Sequence, residues 1–318
     1  MKPKAFAALV VATAVSLVFA ITTFASYNRW AQATATGSAL FPGMAAQVGG
    51  VAKIEIKQGE KELVLARDKE SWSLANRGGY PAKAETARTL LRKLAEAGLV
   101  EPKTRSKDRY ALLDLEDPSG KTAKSRQVRL LDDKGGLLAE VVVGKKRSDA
   151  FGAGKSGTYV RKPGDDQTWL ANADLDAPVT VREWVQPSVL ALDAAKISGV
   201  TIEIPGEEPL KIERSTDKDA KVAFVGVPPE GKKLKDAYAA DTILRSAGSI
   251  ELEDVRKRAA APSSKGASRI ALEAADGLKL TYDIRKEQDG YWLSITASGD
   301  GDAKKTAEET NARVGGWE

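Results

Sequence analysis

Side chains able to do chemistry are scarce in this chain of 318 residues, which has no histidine and no cysteine. Without histidine it lacks the one group that exchanges protons near neutral pH unperturbed. It also lacks the Ser-His-Asp arrangement and the commonest transition-metal ligand. Without cysteine there is no thiolate nucleophile, disulfide or CxxC redox pair. Catalysis would fall to an Asp, Glu or Lys shifted by burial beside a charged partner. The acidic pairs Asp132/Asp133 and Asp165/Asp166 are candidates for acid–base work or calcium. Both lie in hairpin-turn sequence, where Asp bonds nearby backbone, and the EF-hand spacing is absent.

Three runs imitate known motifs. Gly152, Gly154 and Gly157 fit GxGxxG, but the dinucleotide fingerprint must follow a strand and open a helix. Here the β-rich TYVR follows, so a hairpin loop is predicted. Ser119–Gly120–Lys121–Thr122 ends like a phosphate loop, yet the position of its earlier glycine is Leu115. Ser215 and Lys218 fit S-x-x-K, in a polar turn without the companion motifs that give it meaning. Trp72, Trp169, Trp184, Trp292 and Trp317 would suit a sugar platform if exposed in a row. Trp72 and Trp292 sit in alternating strands, where core packing is the default. The basic runs at 145–147 and 256–258 read as solvated faces. No catalytic, cofactor-binding or metal-ligating residue is assigned, and no cofactor.

The elements that would position such groups are mostly strands. Residues 51–67 (VAKIEIKQGEKELVLAR) and 200–214 (VTIEIPGEEPLKIER) each read as strand, turn and strand. Ile54 and Ile56 correspond to Ile202 and Ile204. A helix follows in each copy. Pro81 opens the first, with a stripe of Ala84, Ala87, Leu90, Leu91 and Leu94, and Gly98 closes it. The second carries Leu234, Ala237, Tyr238, Ile243 and Leu244, closed by Gly248. Hairpins at 126–143 and 268–284 match in turn. Further strands follow at 158–161, 168–171 and 291–296, and a helix at about 302–313. The predicted class is α+β: an N-terminal transmembrane helix followed by two tandem β-rich repeats with antiparallel sheets and one main helix each.

Residues 5–25 carry no charge, and a membrane-spanning helix needs about 20 such residues. Lys2 and Lys4 before the run orient the N-terminus to the cytoplasm, with Tyr27 and Trp30 as interfacial anchors. The alternative is a cleaved signal peptide with Ala-x-Ala at 33–35; its apolar region is usually about 7–15 residues, shorter than this run. The predicted organisation is an anchor at 1–30, a linker at 31–50, a first repeat at 51–186 and a second at 187–318. This places a single-pass protein in the inner membrane through residues 5–25, with its bulk in the periplasm. The net charge of +5 is thin and spread out, which argues against a nucleic-acid partner. Arg182–Asp193 joins the repeats, and Trp184 and Leu190 are predicted to pack as a staple.

LFPG (40–43), SWSL (71–74), GGYPA (78–82), YALLDLEDP (110–118), REWV (182–185) and ETNARVGGW (309–317) occur in this order. Together with the two hairpin-plus-helix repeats, they resemble the bacterial domain of unknown function 4340 family over essentially the whole chain after the anchor. The resemblance implies a membrane-anchored protein, often encoded beside a gliding-motility-type ABC transport system. The family has no established catalytic residues to carry over. Its members usually continue past the GW near position 317, so the second repeat is expected to lack its last strand or strands. The function expected from all this is a non-catalytic, extracytoplasmic, membrane-anchored accessory subunit of an ABC-type transport or export assembly, working through protein partners. The alternative is a module that binds envelope polysaccharide or peptidoglycan.

Overall fold

Alternation of apolar and polar residues governs most of the chain, and hairpins result. The computed structural model describes residues 12–24, 37–214, 223–225, 239–258, 266–287 and 290–318. They divide into two units, Met1–Asn76 with Pro81–Val179, and Arg77–Tyr80 with Thr180–Glu318.

Unit 1 is built on one sheet. Its strands are β1 (Ser38–Ala39), β2 (Lys53–Gln58), β3 (Lys61–Asp68), β4 (Ser71–Leu74), β5 (Tyr80–Ala82), β6 (Gly98–Pro102), β7 (Arg126–Leu131), β8 (Leu137–Arg147), β9 (Gly157–Arg161) and β10 (Thr168–Ala171). They run in the order β1-β6-β10-β9-β8-β7-β2-β3-β4-β5. The central pairs are antiparallel, Ile54 facing Leu65 on one side and Leu130 on the other. Ile54, Ile56, Leu63, Leu65, Val128 and Leu130 are buried. Glu55, Lys57 and Arg129 alternate with them toward the polar face, as expected of an antiparallel sheet with one wet side. A short helix α2 (Met44–Gln47) precedes β2, and α3 (Ala84–Glu96) turns Ala87, Leu90, Leu91 and Leu94 inward at helical spacing. Pro81 lies in β5 rather than in the helix, because Lys83 is the N-cap. Gly98 opens β6, and its N–H donates to Asn172 Oδ1 at 2.7 Å.

Unit 2 has two sheets. β11 (Ser188–Ala191) pairs with β15 (Ser249–Glu251). β12 (Ile197–Glu203), β13 (Leu210–Glu213), β14 (Ala223–Val225), β16 (Ser268–Ala274), β17 (Lys279–Glu287) and β18 (Gly290–Ser298) form the order β14-β13-β12-β16-β17-β18. Read strand for strand, this is the order β4-β3-β2-β7-β8-β9 of unit 1. Helices α4 (Ala239–Gly248) and α5 (Asp302–Val314) supply Ala240, Leu244, Ala247, Ala303, Ala307 and Val314 to a core with Val200, Ile212, Leu272, Leu280 and Ile295. Trp184 and Leu190 are both buried, Leu190 in this core.

The register corrects one expectation. Val200 faces Ile212 and Leu272, as Ile54 faces Leu65 and Leu130. Ile202 therefore takes the place of Ile56. Ile204 lies beyond β12 and is 43% exposed. The correspondence is shifted by two residues from the one the alternation suggested. A two-residue shift keeps every side chain on its face, so alternation alone does not exclude it.

The fold class is corrected as well. The chain is mostly antiparallel β-sheet, and the expected α+β architecture led by a transmembrane helix is not found. A helix α1 covers 12–24. At about 1.5 Å per residue it is about 20 Å long, short of a hydrocarbon core of about 30 Å. Among the described residues no helix is long and apolar enough to cross a membrane. This overturns the single-pass anchor over 5–25 and the inner-membrane placement that rested on it. Residues 5–11 and 25 lie outside the described residues, as do Leu234, Ala237 and Tyr238 of the expected second helix.

Candidate binding groove

Unit 2 gathers most of its unusual side chains around β18 and the stretch after β15. β15 runs on through a bend at Glu253 to Val255, and residues 256–258 then pair with 316–318. Arg256 N–H donates to Glu318 O at 2.9 Å, Glu318 N–H to Arg256 O at 3.0 Å, and Arg258 N–H to Gly316 O at 3.0 Å. Gly78 permits this closure. Its φ is +70°, and a Cβ there would stand 2.8 Å from Lys257 Cγ and 3.2 Å from Trp317 Cζ3. Tyr80 meets Trp317 edge-on, with ring centroids 5.1 Å apart.

Arg256 organises the site. Its Nε donates to Glu318 Oε1 at 2.8 Å, and its Nη1 and Nη2 donate to the two oxygens of Glu287 at 2.9 and 2.5 Å. The guanidinium lies 4.0 Å from the Trp292 ring centroid, within cation–π range. Arg285 pairs with the other oxygen of Glu318, whose side chain is 3% exposed. A buried carboxylate survives ionised only with such partners. The hydrogen bonds from Arg256 hold Glu287 below the usual carboxylate range. Nearby, Arg77 grips Asp254 with Nε at 2.7 Å and Nη2 at 3.3 Å. Arg182 bonds both Glu253 and Glu251, and those two bonds raise its own pKa.

Between Ile250–Val255 and the first half of β18 lies a groove of about 380 Å³. Its walls are mainly apolar, from Ile250, Leu252, Val255, Leu293, Ile295 and Val314. Tyr291 stands at its mouth, 71% exposed. The charged groups that line it are Glu251, Glu253, Asp254 and Glu318, without a lysine or arginine. Chemically the groove offers apolar contact, main-chain groups and carboxylates already tied to guanidinium. Two further depressions are polar. One lies over the wet face of unit 1, where Arg129 Nη1 meets Glu55 Oε2 at 2.8 Å, and the other lies beside the Arg269–Asp283 pair.

The residues singled out in the sequence fall elsewhere. Gly152 and Gly154 shape a turn between β8 and β9, closed by Lys155 N–H donating to Gly152 O at 2.9 Å. Asp132 Oδ1 accepts from the N–H groups of Lys134 and Gly136, and Asp165 Oδ1 from that of Gln167, so both pairs serve turns. At 119–122 the chain also turns. Asp117 accepts from the N–H and hydroxyl of Ser119, which lowers its pKa. Ser215 and Lys218 lie outside the described residues. Trp72 and Trp184 are buried, and Trp169, Trp292 and Trp317 are half-buried. Among the described residues no group of three or more Asp or Glu is placed to hold a metal ion. Sequence reasoning missed Arg256. It took 256–258 for a solvated basic face, whereas the structure makes Arg256 the hub of a carboxylate–aromatic cluster. No local pattern signals this, because its partners are 31 and 62 residues away.

Comparison with known proteins gives one match. No curated protein and no solved structure matches the chain. The family model described as Domain of unknown function (DUF4340) matches residues 72–269, which takes in most of unit 1 and the Ile250–Val255 wall of the groove. The chain belongs to the domain of unknown function 4340 family.

Proposed function

We propose that the protein works by binding, as a non-catalytic accessory subunit of an ABC-type transport or export assembly, and that a protein partner docks in the groove of unit 2. The observation that carries this reading is the make-up of that groove. Its apolar walls suit desolvated contact at the centre, and its ion-paired carboxylates suit a polar rim. A general acid or base needs a free carboxylate within reach of substrate, whereas here Glu251, Glu253, Asp254 and Glu318 are each held by an arginine. The lack of histidine and cysteine points the same way. A sugar platform would need bare indole faces, and Arg256 and Lys257 lie over Trp292 and Trp317, so envelope polysaccharide is the weaker fit.

The test is photo-crosslinking in the native host. A photoreactive amino acid replaces Tyr291 in the full chain, and a control replaces Leu137, which is 50% exposed on β8. The expected result is a discrete protein adduct from position 291 that is missing from 137. Glycan adducts alone, or none from 291, contradict the reading. Steady multiple turnover by the purified chain on nucleotides, glycans or esters contradicts it too.

A further inference from the structure

We propose that the partner enters the groove as an extended segment and adds to the free edge of β18 through main-chain hydrogen bonds. This rests on the binding reading above and says how the partner is held. Among the described residues β18 is the last strand of its sheet and pairs with β17 alone. At Ala297 the N–H donates to Asn311 Oδ1 at 2.8 Å, and the C=O accepts from Asn311 Nδ2 at 2.7 Å. Ala297 therefore turns both main-chain groups away from β17, and Asn311 of α5 acts as a one-residue strand. In an antiparallel ladder this orientation recurs at every second residue. Ile295, Leu293 and Tyr291 thus turn their N–H and C=O outward too. No described group bonds them on that side, and all three line the groove.

Free strand edges recruit other strands, and proteins usually cover them. Here the cover stops at Ala297 and leaves three outward positions open. Ile295 is only 4% exposed, and main-chain groups buried without partners are costly. The occupant that answers such an edge is an extended peptide, by strand addition. Charge narrows its chemistry. Each carboxylate of the lining is paired with an arginine outside it, but Glu251 and Glu253 share the single guanidinium of Arg182, which leaves one negative charge uncompensated there. The fitting segment has apolar residues at alternate positions and a lysine or arginine toward Glu251 and Glu253.

The probe is a phage-displayed library of random twelve-residue peptides, selected on the full chain. Tyr291→Pro deletes one outward N–H without touching the β17 ladder, a place where proline is tolerated. Tyr291→Phe is the control, and unchanged circular dichroism and melting confirm that both variants fold. The expected result is enrichment of alternating apolar peptides with a basic residue. Their binding should fall at least about tenfold further in Tyr291→Pro than in Tyr291→Phe, which keeps the main-chain N–H. Peptides that bind the proline variant as well as the parent overturn strand addition and leave the binding reading standing. Failure to enrich any peptide also overturns strand addition, while the crosslinking result decides the binding reading separately. A full chain that dimerises in sedimentation, and becomes monomeric in Tyr291→Pro, assigns the edge to a second copy and overturns the proposal.

Discussion

Single side chains in unit 2 carry loads that their local sequence does not announce. Tyr282 is one. Its hydroxyl donates to Ala247 O at 2.7 Å, and burial raises its pKa above that of ordinary tyrosine. Removing the hydroxyl in Tyr282→Phe should cost about 0.5–1.5 kcal/mol in urea unfolding. The linkage has a definite sign. A pKa raised in the folded state gives stability that is complete below the unfolded value, about 10 for tyrosine, and is lost as pH rises past it. The parent should therefore weaken at alkaline pH more steeply than Tyr282→Phe. Glu287 runs the other way. Arg256 depresses its pKa, so its contribution is present above the ordinary carboxylate range and fades as pH falls through the acid range. Unfolding of Glu287→Gln should show a flatter acid limb than the parent; equal limbs would contradict the pairing. Turn aspartates such as Asp132 were readable from sequence because their partners lie two to four residues on. Arg256 was not, since topology alone brings Glu287, Glu318 and Trp292 to it.

Strands were the readable elements, because a half-buried strand writes its period of two into the sequence. Both hairpins after Val51 and Val200 were visible this way. Their register was not fully so. VTIEI has apolar residues at Val200, Ile202 and Ile204, and the pattern does not say which two the sheet will cover. Long-range pairing decides, with β12 ending at Glu203. Ile56 is fully buried and Ile204 is 43% exposed. Ile56→Ala should therefore cost about 2–5 kcal/mol, and Ile204→Ala should stay within about 0.5 kcal/mol. Equal costs in chemical denaturation would restore the unshifted correspondence. Helix ends were read less well, as Pro81 shows, since a proline serves an edge strand as readily as a first helical turn. Asn311 is an element-scale device invisible to periodicity. Asn311→Ala removes both bonds to Ala297, and should cost about 1–3 kcal/mol and speed amide exchange at Ala297.

At the scale of the whole molecule, the sequence showed its family and its strand-rich character, but not its site. Six strands run in the same order in both units, yet among the described residues only unit 2 combines a sheet edge, an acidic segment and an aromatic–arginine cluster around one groove. Those parts come from 77–80, 249–258, 285–287, 290–295 and 311–318. No contiguous motif spans them, and the groove exists only once the sheet order is set. The central claim is that this groove holds a protein partner. The most direct measurement is residue-resolved amide hydrogen exchange of the full chain, alone and with the purified protein captured from position 291. Slowed exchange centred on Leu293, Ile295 and the 250–255 wall is the predicted result. Unchanged exchange there, with protection elsewhere on the chain, would contradict it.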